Sequence, residues 1–380
     1  MNTCEVLIVG GGPGGSSCAW KLRQAGVDAV VMDAAVFPRD KVCAGWITPQ
    51  AVSALQLDIA EYRDGRTLQD VTGFRTGVIG GHLTRTTTYN RVVSYAVRRC
   101  EFDHYLLERS RARLILGSPV TTIRREGAGW VVNEALRASM LIGAGGHFCP
   151  VARWLNQPAA TPRDAPLVVA QEAEFLADST PADAEAAEIP ALYFYRDLKG
   201  YGWCVRKGQY VNVGVGRLDP RALPAVFARF LDFLRGTSSC PPLGNPRWRG
   251  HAYLVRHARQ RRVLDGGVLL LGDAAGLAYP QSGEGIRPAI ESGLLAASTI
   301  IDAKGHYDRD SLEPYAARLT DRFGDGSTEV EWPSLVPARV RSALAPLMLS
   351  LPFVARRIVL DRWFLRASEL PLDLALRRAG

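Results

Sequence analysis

A short apolar run that ends in closely spaced glycines constrains the fold of this chain more than any other feature. Glu5–Val9 (EVLIV) predicts a buried parallel strand, and helix-forming residues follow from residue 18 to residue 25. Between them, Gly10, Gly12 and Gly15 form the pattern G-x-G-x-x-G. The first glycine of this pattern permits a tight turn, the second lets the backbone approach a pyrophosphate, and the third lets helix and strand pack closely. The pattern therefore predicts a dinucleotide-binding turn.

An acidic residue at the end of the next strand supports this interpretation. Asp28–Asp33 (DAVVMD) predicts a second strand, and Asp33 lies 18 residues beyond Gly15. A carboxylate at that point can accept hydrogen bonds from ribose hydroxyls. Pro13 and Gly14 open the helix between the strands, whose unpaired N–H groups and dipole favour phosphate. We predict a βαβ nucleotide-binding unit; the alternative is a glycine turn with a purely structural role.

A second glycine-rich stretch, 267–293, suggests the other half of a nucleotide site. Residues 268–272 (VLLLG) predict a buried strand, and the next residue is an aspartate that can hold ribityl or ribose hydroxyls. Further glycines open a helix predicted over 287–301, whose amino terminus points at another electron-rich group. The predicted contacts from this stretch are Gly272, Asp273, Pro280, Gly283, Gly285 and Ile286.

Composition and charge exclude several classes of protein. The chain has 380 residues, of which 47% are hydrophobic and 22% charged, as expected for a soluble globular protein. The net charge of +8 is concentrated in 332–380, where eight arginines face three acidic residues. No nucleic-acid-binding signature is present, so nucleic acid is not an expected partner. The sequence shows no secretory leader and no apolar run of about 18 residues. We therefore expect that the protein is not exported and has no membrane-spanning helix.

Cysteine and histidine spacing predicts neither a disulfide framework nor a metal site. The seven cysteines form no C-x-x-C pair, and their number is odd. The six histidines are scattered and lack the H-x-x-x-H spacing of a zinc-binding helix. A reducing cytoplasm fits this cysteine usage, and we predict no bound metal.

The two glycine-rich stretches together resemble the FAD-binding flavoproteins of the para-hydroxybenzoate hydroxylase type. Residues 97–106 (VRRCEFDHYL) resemble the segment of that group in which an arginine, here Arg99, precedes a Phe-Asp pair and contacts the flavin. The likeness implies an α/β fold with a Rossmann-like FAD-binding domain, interrupted by a mostly antiparallel β-sheet substrate domain and followed by a helical carboxyl-terminal segment. The FAD-binding domain is predicted to comprise 1–75, 95–160 and 255–305. The substrate domain is predicted to comprise 76–94 and 161–254, and the helical carboxyl-terminal segment 306–380.

Two further stretches resemble the geranylgeranyl reductase branch of that group. Residues 40–49 (DKVCAGWITP) are similar to a Cys-Gly loop beside the flavin, and 198–216 contain a Tyr-x-Trp segment. The resemblance implies that Tyr201 and Trp203 line a lipid cavity and face the isoalloxazine ring. It departs from the branch at 205–206, Val-Arg instead of Phe-Pro, and at 145–146, Gly-Gly instead of Asp-Gly. The remaining predicted cofactor contacts are Arg39, Cys43, Ala44 and Val120.

The role of Cys43 is left open by the sequence. Beside a flavin, this residue could donate a proton to a substrate carbon, form a small apolar wall or react transiently. Arg39 and Lys41 are close in sequence, and a nearby cation favours the thiolate. The alternative is an inert, buried cysteine. Our hypothesis is that Cys43, together with Tyr201 and Trp203, contributes to turnover.

The resemblance implies an FAD-dependent oxidoreductase that reduces a C=C bond of an isoprenoid or related lipid. The alternatives are a monooxygenase acting on an aromatic substrate, including a tryptophan in a partner peptide, and a flavoprotein scaffold without catalysis. Halogenation is disfavoured because 201–206 read Tyr-Gly-Trp-Cys-Val-Arg where halogenases have Trp-x-Trp-x-Ile-Pro. With no second dinucleotide turn visible, electrons are expected from NAD(P)H visiting the flavin or from a separate reductase or carrier protein.

The carboxyl-terminal stretch mixes leucines with arginines and is broken by Pro337, Pro346 and Pro352. It predicts short helices that close a substrate tunnel, or an interfacial segment whose arginines meet anionic lipid. An ordinary packing layer is the alternative. We therefore expect a cytoplasmic protein with at most peripheral contact with the inner membrane.

Overall fold

A computed structural model describes residues 2–157, 167–177, 187–237, 240–255, 261–324 and 338–373. The helices are α1 (Pro13–Gln24), α2 (Pro49–Ala54), α3 (Ile59–Arg63), α4 (Arg99–Arg109), α5 (Pro150–Leu155), α6 (Leu223–Arg235), α7 (Ile286–Ala303), α8 (Arg309–Phe323), α9 (Ala338–Ser350) and the π-helical α10 (Val354–Phe364). The strands are β1 (Asn2–Val9), β2 (Ala29–Met32), β3 (Trp46–Ile47), β4 (Leu68–Val71), β5 (Gly73–Val78), β6 (Thr84–Thr88), β7 (Ser94–Val97), β8 (Arg113–Ile115), β9 (Ile123–Glu126), β10 (Gly129–Val132), β11 (Leu136–Gly143), β12 (Leu167–Leu176), β13 (Ala191–Phe194), β14 (Gly200–Lys207), β15 (Tyr210–Arg217), β16 (Arg249–Leu254), β17 (Leu264–Asp265) and β18 (Val268–Leu270).

The first sheet is built around β1. This strand pairs in parallel with β11 on one side and β2 on the other, and β18 and β8 extend the parallel order outwards. Helices α1 and α7 pack together against it, with Gly14 and Gly293 at their contact, where a Cβ on Gly293 would lie 2.3 Å from the Gly14 carbonyl oxygen. Because helices cover it, the inner half of β1 is continuously apolar and buried, as the sequence predicted.

The second sheet has the strand order β16-β12-β15-β14-β13-β5-β6. All of its pairs are antiparallel except β13 with β5, which confirms the predicted mostly antiparallel sheet. A small sheet of β3, β7 and β4 lies with it, and β14 contacts both β4 and β7. Side chains of β12 and β14 alternate between the two faces, so every second residue of each strand shares a face.

Three local expectations differ from the structure. Residues 113–116 (RLIL) predict a buried strand from sequence, but β8 is the edge strand of its sheet and Leu114 is 37% exposed. The predicted boundary at residue 75 falls inside β5, which belongs to the second sheet. Helix α8, predicted in the carboxyl-terminal segment, packs against α7 of the first domain.

The segment 338–373 returns along both domains. Helix α9 packs on β5, and the turns after α10 reach the start of α7. Among the described residues, no single helix is long and apolar enough to cross a bilayer. The helices Ser342–Ser350 and Val354–Phe364, bent by 98° to each other, meet those limits of length and composition only as a pair.

Candidate active site

A cavity of about 1060 Å³ runs between the two sheets. One part is lined by the glycine turn after β1 and by the ends of the other parallel strands, where α/β sheets bind their ligands. The other part is lined by apolar and aromatic residues from β14, β13 and α10. A volume of this size accommodates a large cofactor and the reacting part of a substrate.

The glycine turn has the backbone geometry that its sequence predicts. Gly10 has φ +118°, and a Cβ there would lie 2.4 Å from the carbonyl carbon of Ala144. A Cβ on Gly15 would lie 1.9 Å from the Gly10 carbonyl oxygen, so this glycine lets α1 approach the turn. At Gly12 the nearest atom to a Cβ is Arg39 Nη2, 3.5 Å away, and the rest of the space belongs to the cavity. The turn is therefore shaped to admit a phosphate group at Gly12.

Two carboxylates stand at the ends of strands in this part. Asp33 Oδ2 accepts a hydrogen bond from the Gly11 N–H at 2.7 Å, and Oδ1 accepts one from the Ala35 N–H at 2.8 Å. Each oxygen keeps a second lone pair for a hydroxyl group. Asp273 follows β18 and lines the cavity, and burial raises the pKa of its carboxyl. These positions suit the hydroxyls of a nucleotide cofactor.

A buried ion-pair cluster holds the two predicted arginines. Asp103 is fully buried and accepts two hydrogen bonds from Arg99, from Nε and Nη2, both at 2.8 Å. Arg39 Nη1 lies 3.2 Å from Asp103 Oδ2, the oxygen that also accepts from Arg99 Nη2. Asp103 therefore fixes both guanidinium groups at the cavity wall, where Arg39 spans toward the glycine turn.

The loop that carries Cys43 is tied to the second sheet through its backbone. The Cys43 N–H donates to Glu172 Oε1 at 2.6 Å, and the Asn212 amide approaches the Cys43 carbonyl at 3.4 Å. The half-buried thiol accepts a hydrogen bond from the Gly45 N–H at 3.3 Å and from the Arg99 guanidinium. Cys43 thus lies at the cavity wall, held by hydrogen bonds to its backbone and to its thiol.

An aromatic cluster forms the apolar part of the cavity. Tyr201 and Phe364 have ring centroids 5.1 Å apart, and Trp203 lies 5.9 Å from Tyr201. The Tyr201 hydroxyl donates to the Ser282 carbonyl, and Trp203 Nε1 donates to Asn212 Oδ1 at 2.7 Å. These hydrogen bonds anchor the polar tips of both rings and leave their faces to the cavity.

Most of the predicted site residues meet at this cavity. Those that line it are Gly10, Gly12, Pro13, Gly14, Asp33, Arg39, Cys43, Ala44, Arg99, Tyr201, Trp203, Gly272, Asp273, Pro280, Gly283, Gly285 and Ile286. Gly15 lies behind the turn, where its role is close packing. Val120 packs against the main hydrophobic core and does not line the cavity, so its contact with a cofactor stays a prediction.

Three groups of cavity residues were missed by sequence reasoning. Phe364 and its neighbours lie in the carboxyl-terminal stretch that one interpretation expected to close a substrate tunnel, but no local pattern singled out these residues, more than 150 positions from the Tyr-x-Trp segment. Lys41 Nζ contacts His251 Nε2 at 2.8 Å, and burial beside Lys41 lowers the pKa of His251 to about 3. Glu284 stands between two predicted glycines; burial raises its pKa to about 7, and neither carboxyl oxygen has a hydrogen-bond partner in the described part of the chain.

The residues present fit FAD. The space at Gly12 and the start of α1 suit the pyrophosphate, with Arg39 as its cation; Asp33 and Asp273 suit the hydroxyls at either side. The amino terminus of α7, which begins at Ile286 and has no acidic residue in its first turn, offers N–H groups to the isoalloxazine end. The fold and the site together define an FAD-dependent oxidoreductase of the para-hydroxybenzoate hydroxylase type.

Comparison with known proteins narrows this class. Residues 8–48 match the model of the NAD(P)-binding Rossmann-like domain. The menaquinone reductase of Mycobacterium tuberculosis is 30% identical over 355 residues, covering 86% of this chain and 82% of its own length. The digeranylgeranylglycerophospholipid reductase of Methanothrix thermoacetophila is 26% identical, covering 84% of each chain. The chain belongs to the geranylgeranyl reductase family of FAD-dependent oxidoreductases, which confirms the family, the enzyme class and the cofactor expected from the sequence motifs.

Solved structures confirm the fold class. A geranylgeranyl bacteriochlorophyll reductase-like protein from Thermoplasma acidophilum has a TM-score of 0.77 at 20% identity, with 96% of this chain and 97% of that chain covered. A single-residue mutant of the halogenase PltM, solved with FAD, has a TM-score of 0.68 at 15% identity, with 85% of this chain and 74% of that chain covered. At these identities the likeness is one of fold alone, so function has to be argued from the site.

Proposed function

We propose that this enzyme reduces a carbon–carbon double bond in an isoprenoid lipid. The observation that carries the proposal is the continuity of the cavity, which joins the nucleotide-binding turn to the aromatic cluster around Phe364. An elongated apolar substrate fits such a cluster, and the relatives named above are reductases of menaquinone and of a digeranylgeranyl lipid. When bound and reduced, FAD supplies the hydride equivalent that an alkene needs.

The protein itself contributes substrate orientation, exclusion of water and a proton. Tyr201, Trp203 and Phe364 would hold the isoprenoid chain by apolar contact and keep the reacting carbons dry. Cys43 lines the cavity between the glycine turn and these rings, with its thiol held by Gly45 and Arg99. We assign the proton transfer to this thiol, and electrons reach the cofactor from NAD(P)H or from a reductase or carrier protein.

A reduced-flavin assay with a panel of prenyl lipids and aromatic compounds tests this function. Without oxygen, we expect a prenyl lipid to gain two hydrogen atoms, as measured by mass spectrometry of the product. A product that forms only with oxygen and carries an additional oxygen atom would instead establish a monooxygenase. Reduced flavin that is reoxidised by no compound of the panel, with or without oxygen, would contradict both.

Replacement of the cysteine tests its part in the reaction. We expect Cys43→Ala to bind FAD normally and to lose at least about tenfold in kcat, because general acid catalysis contributes about 10²–10⁴-fold. The matched control is Cys100→Ala, a half-buried cysteine on α4 outside the cavity lining. Unchanged turnover in Cys43→Ala would reduce this residue to a packing role.

We propose that the enzyme takes its substrate from an anionic membrane through the bend between α9 and α10. Leu344, Leu347, Leu351 and Phe353 are between 43% and 67% exposed there, and Arg356 and Arg357 are exposed beside them. Apolar side chains that enter the interface, flanked by arginines, suit anionic headgroups. The same α10 carries Phe364 at the cavity wall, so the docking surface continues into the site.

Vesicle sedimentation checks the docking surface. We expect the protein to bind vesicles with anionic headgroups. The double variant Leu347→Asp/Phe353→Asp is expected to reduce the bound fraction about tenfold or more, since each introduced charge opposes insertion. Leu176→Asp is the control because Leu176 is 57% exposed at the end of β12, away from this surface. Equal recovery of all three proteins in the supernatant would exclude the membrane surface.

A further inference from the structure

A buried carboxyl group behind the Cys43 loop has no part in the function described so far. Glu172 lies on β12, 5% exposed, and faces away from solvent toward the loop. Its Oε1 accepts the Cys43 N–H at 2.6 Å, across 129 residues of sequence. Its Oε2 is buried and has no hydrogen-bond partner of good geometry within the described ranges, the Asn212 amide being its polar neighbour. A side chain with this much unmet bonding capacity in the interior requires an explanation.

The two cations near Glu172 form ion pairs with another residue, Glu174. Lys207 is fully buried, and its Nζ lies 2.7 Å from Glu174 Oε2. Arg98 Nε lies 3.0 Å from the other oxygen of Glu174. Glu172 therefore stands beside a carboxylate that has two cations, and has no ion pair of its own among the described residues.

The same network reaches the second predicted catalytic segment. Asn212, from β15, accepts from Trp203 Nε1 at 2.7 Å and points its amide toward the Cys43 carbonyl at 3.4 Å. Gly214 leaves the space for this arrangement, since a Cβ there would lie 2.7 Å from Glu172 Cβ and 2.4 Å from the Trp203 ring. Two side chains of the second sheet thus contact the Cys43 backbone: Glu172 accepts from its N–H, and the Asn212 amide lies near its carbonyl.

We propose that Glu172 is a positioning residue that fixes Cys43 against the cofactor when its carboxyl is ionised and loosens it when protonated. An ionised carboxylate forms the stronger hydrogen bond with an N–H group, and a neutral carboxyl forms a weaker one. The inference rests on the proposed function only for the role of Cys43 in turnover. The contact itself exists with or without a substrate.

The electrostatic environment puts this change in the neutral range. Burial raises the pKa of Glu172 to about 7, against the opposing effects of Lys207 and of the Cys43 N–H, while Glu174 adds to the rise. The uncharged Asn212 amide also faces the carboxyl and lowers this pKa through a side-chain hydrogen bond. Above that pH the carboxylate holds the loop, and below it the hold weakens.

Hydrogen exchange of the Cys43 amide measures the hold without substrate or turnover. After correction for the intrinsic rate, we expect its protection to increase about fivefold between roughly pH 6 and pH 8, as the bond gains charge. Glu172→Gln keeps an acceptor oxygen but does not titrate, so its protection is expected to stay constant. Glu101→Gln is the control, because Glu101 also accepts a backbone N–H, from Thr67 at 2.7 Å, but does not contact the loop.

Two outcomes overturn the proposal. Protection that stays constant across this range in the unaltered protein would do so even if Glu172→Gln failed to fold. Protection that remains pH-dependent in a folded Glu172→Gln would assign the dependence to another group. As a second readout, we expect the pH profile of kcat to lose its inflection near pH 7 in Glu172→Gln, with KM unchanged. A failure of the proposed function would remove this second readout but leave the exchange result standing.

Discussion

Gly12→Val is expected to give a folded protein that purifies without flavin and binds added FAD at least about 100-fold more weakly, or ~2.7 kcal/mol. Gly12 has extended backbone angles, φ −73° and ψ −177°, which valine adopts without strain. A Cβ there meets only Arg39 Nη2 at 3.5 Å, so the branched side chain would occupy the phosphate space of the cavity. Flavin absorbance of the purified protein and FAD titration measure the loss.

A matched glycine separates this effect from general destabilisation. Gly236 follows α6 with φ −87°, and the nearest atom to a Cβ there is the Phe233 carbonyl oxygen at 3.5 Å. Gly236→Val is expected to keep the yellow colour and the FAD affinity. A Gly12→Val protein that retains bound flavin would mean that the glycine turn does not contact the cofactor.

Asp103→Asn is expected to lower the free energy of unfolding of the flavin-free protein by about 3–5 kcal/mol, since it leaves buried cations uncompensated. The fully buried carboxylate of Asp103 lies against Arg99 at 2.8 Å and Arg39 at 3.2 Å. Asparagine keeps the size of the side chain and removes its charge. Denaturant unfolding followed by tryptophan fluorescence measures the change.

A surface ion pair provides the comparison. Asp302 lies 2.8 Å from Arg318 Nη2 with its side chain 53% exposed. Asp302→Asn is expected to cost about 0.2–1 kcal/mol because solvent screens such pairs. If the two substitutions had equal effects, the buried cluster would have no special part in stability.

The cofactor half of the site could be predicted from sequence because its constraints are local. A phosphate-binding turn needs glycines at a fixed spacing, and an acid at the end of the next strand follows from the length of the βαβ unit. Gly10, Gly12 and Asp33 accordingly meet at the cavity as the pattern predicted. Asp273 was found in the same way, from a buried strand followed by a glycine-rich turn.

The substrate half depends on contacts between distant segments. Glu172 reaches Cys43 across 129 residues, and its sequence neighbours read as an ordinary alternating strand. Phe364 belongs to a helix whose composition is equally typical of a packing layer, and only tertiary packing sets it against Tyr201. Val120 shows a limit of the resemblance itself: it was predicted as a cofactor contact on that basis, but it does not line the cavity.

Phe364 lies on a carboxyl-terminal segment, apart in sequence from the residues suited to FAD, and this separation has an evolutionary consequence. The residues suited to FAD come from the first sheet and its helices, whereas α10 and the turns after it contribute a wall made by eight of the twelve positions between 358 and 369. Mutations in this short stretch can reshape the pocket while leaving the nucleotide fingerprint intact. Divergence of substrate preference within the family is therefore expected to concentrate here, and exchanging this stretch between paralogues is the direct route to new lipid specificities.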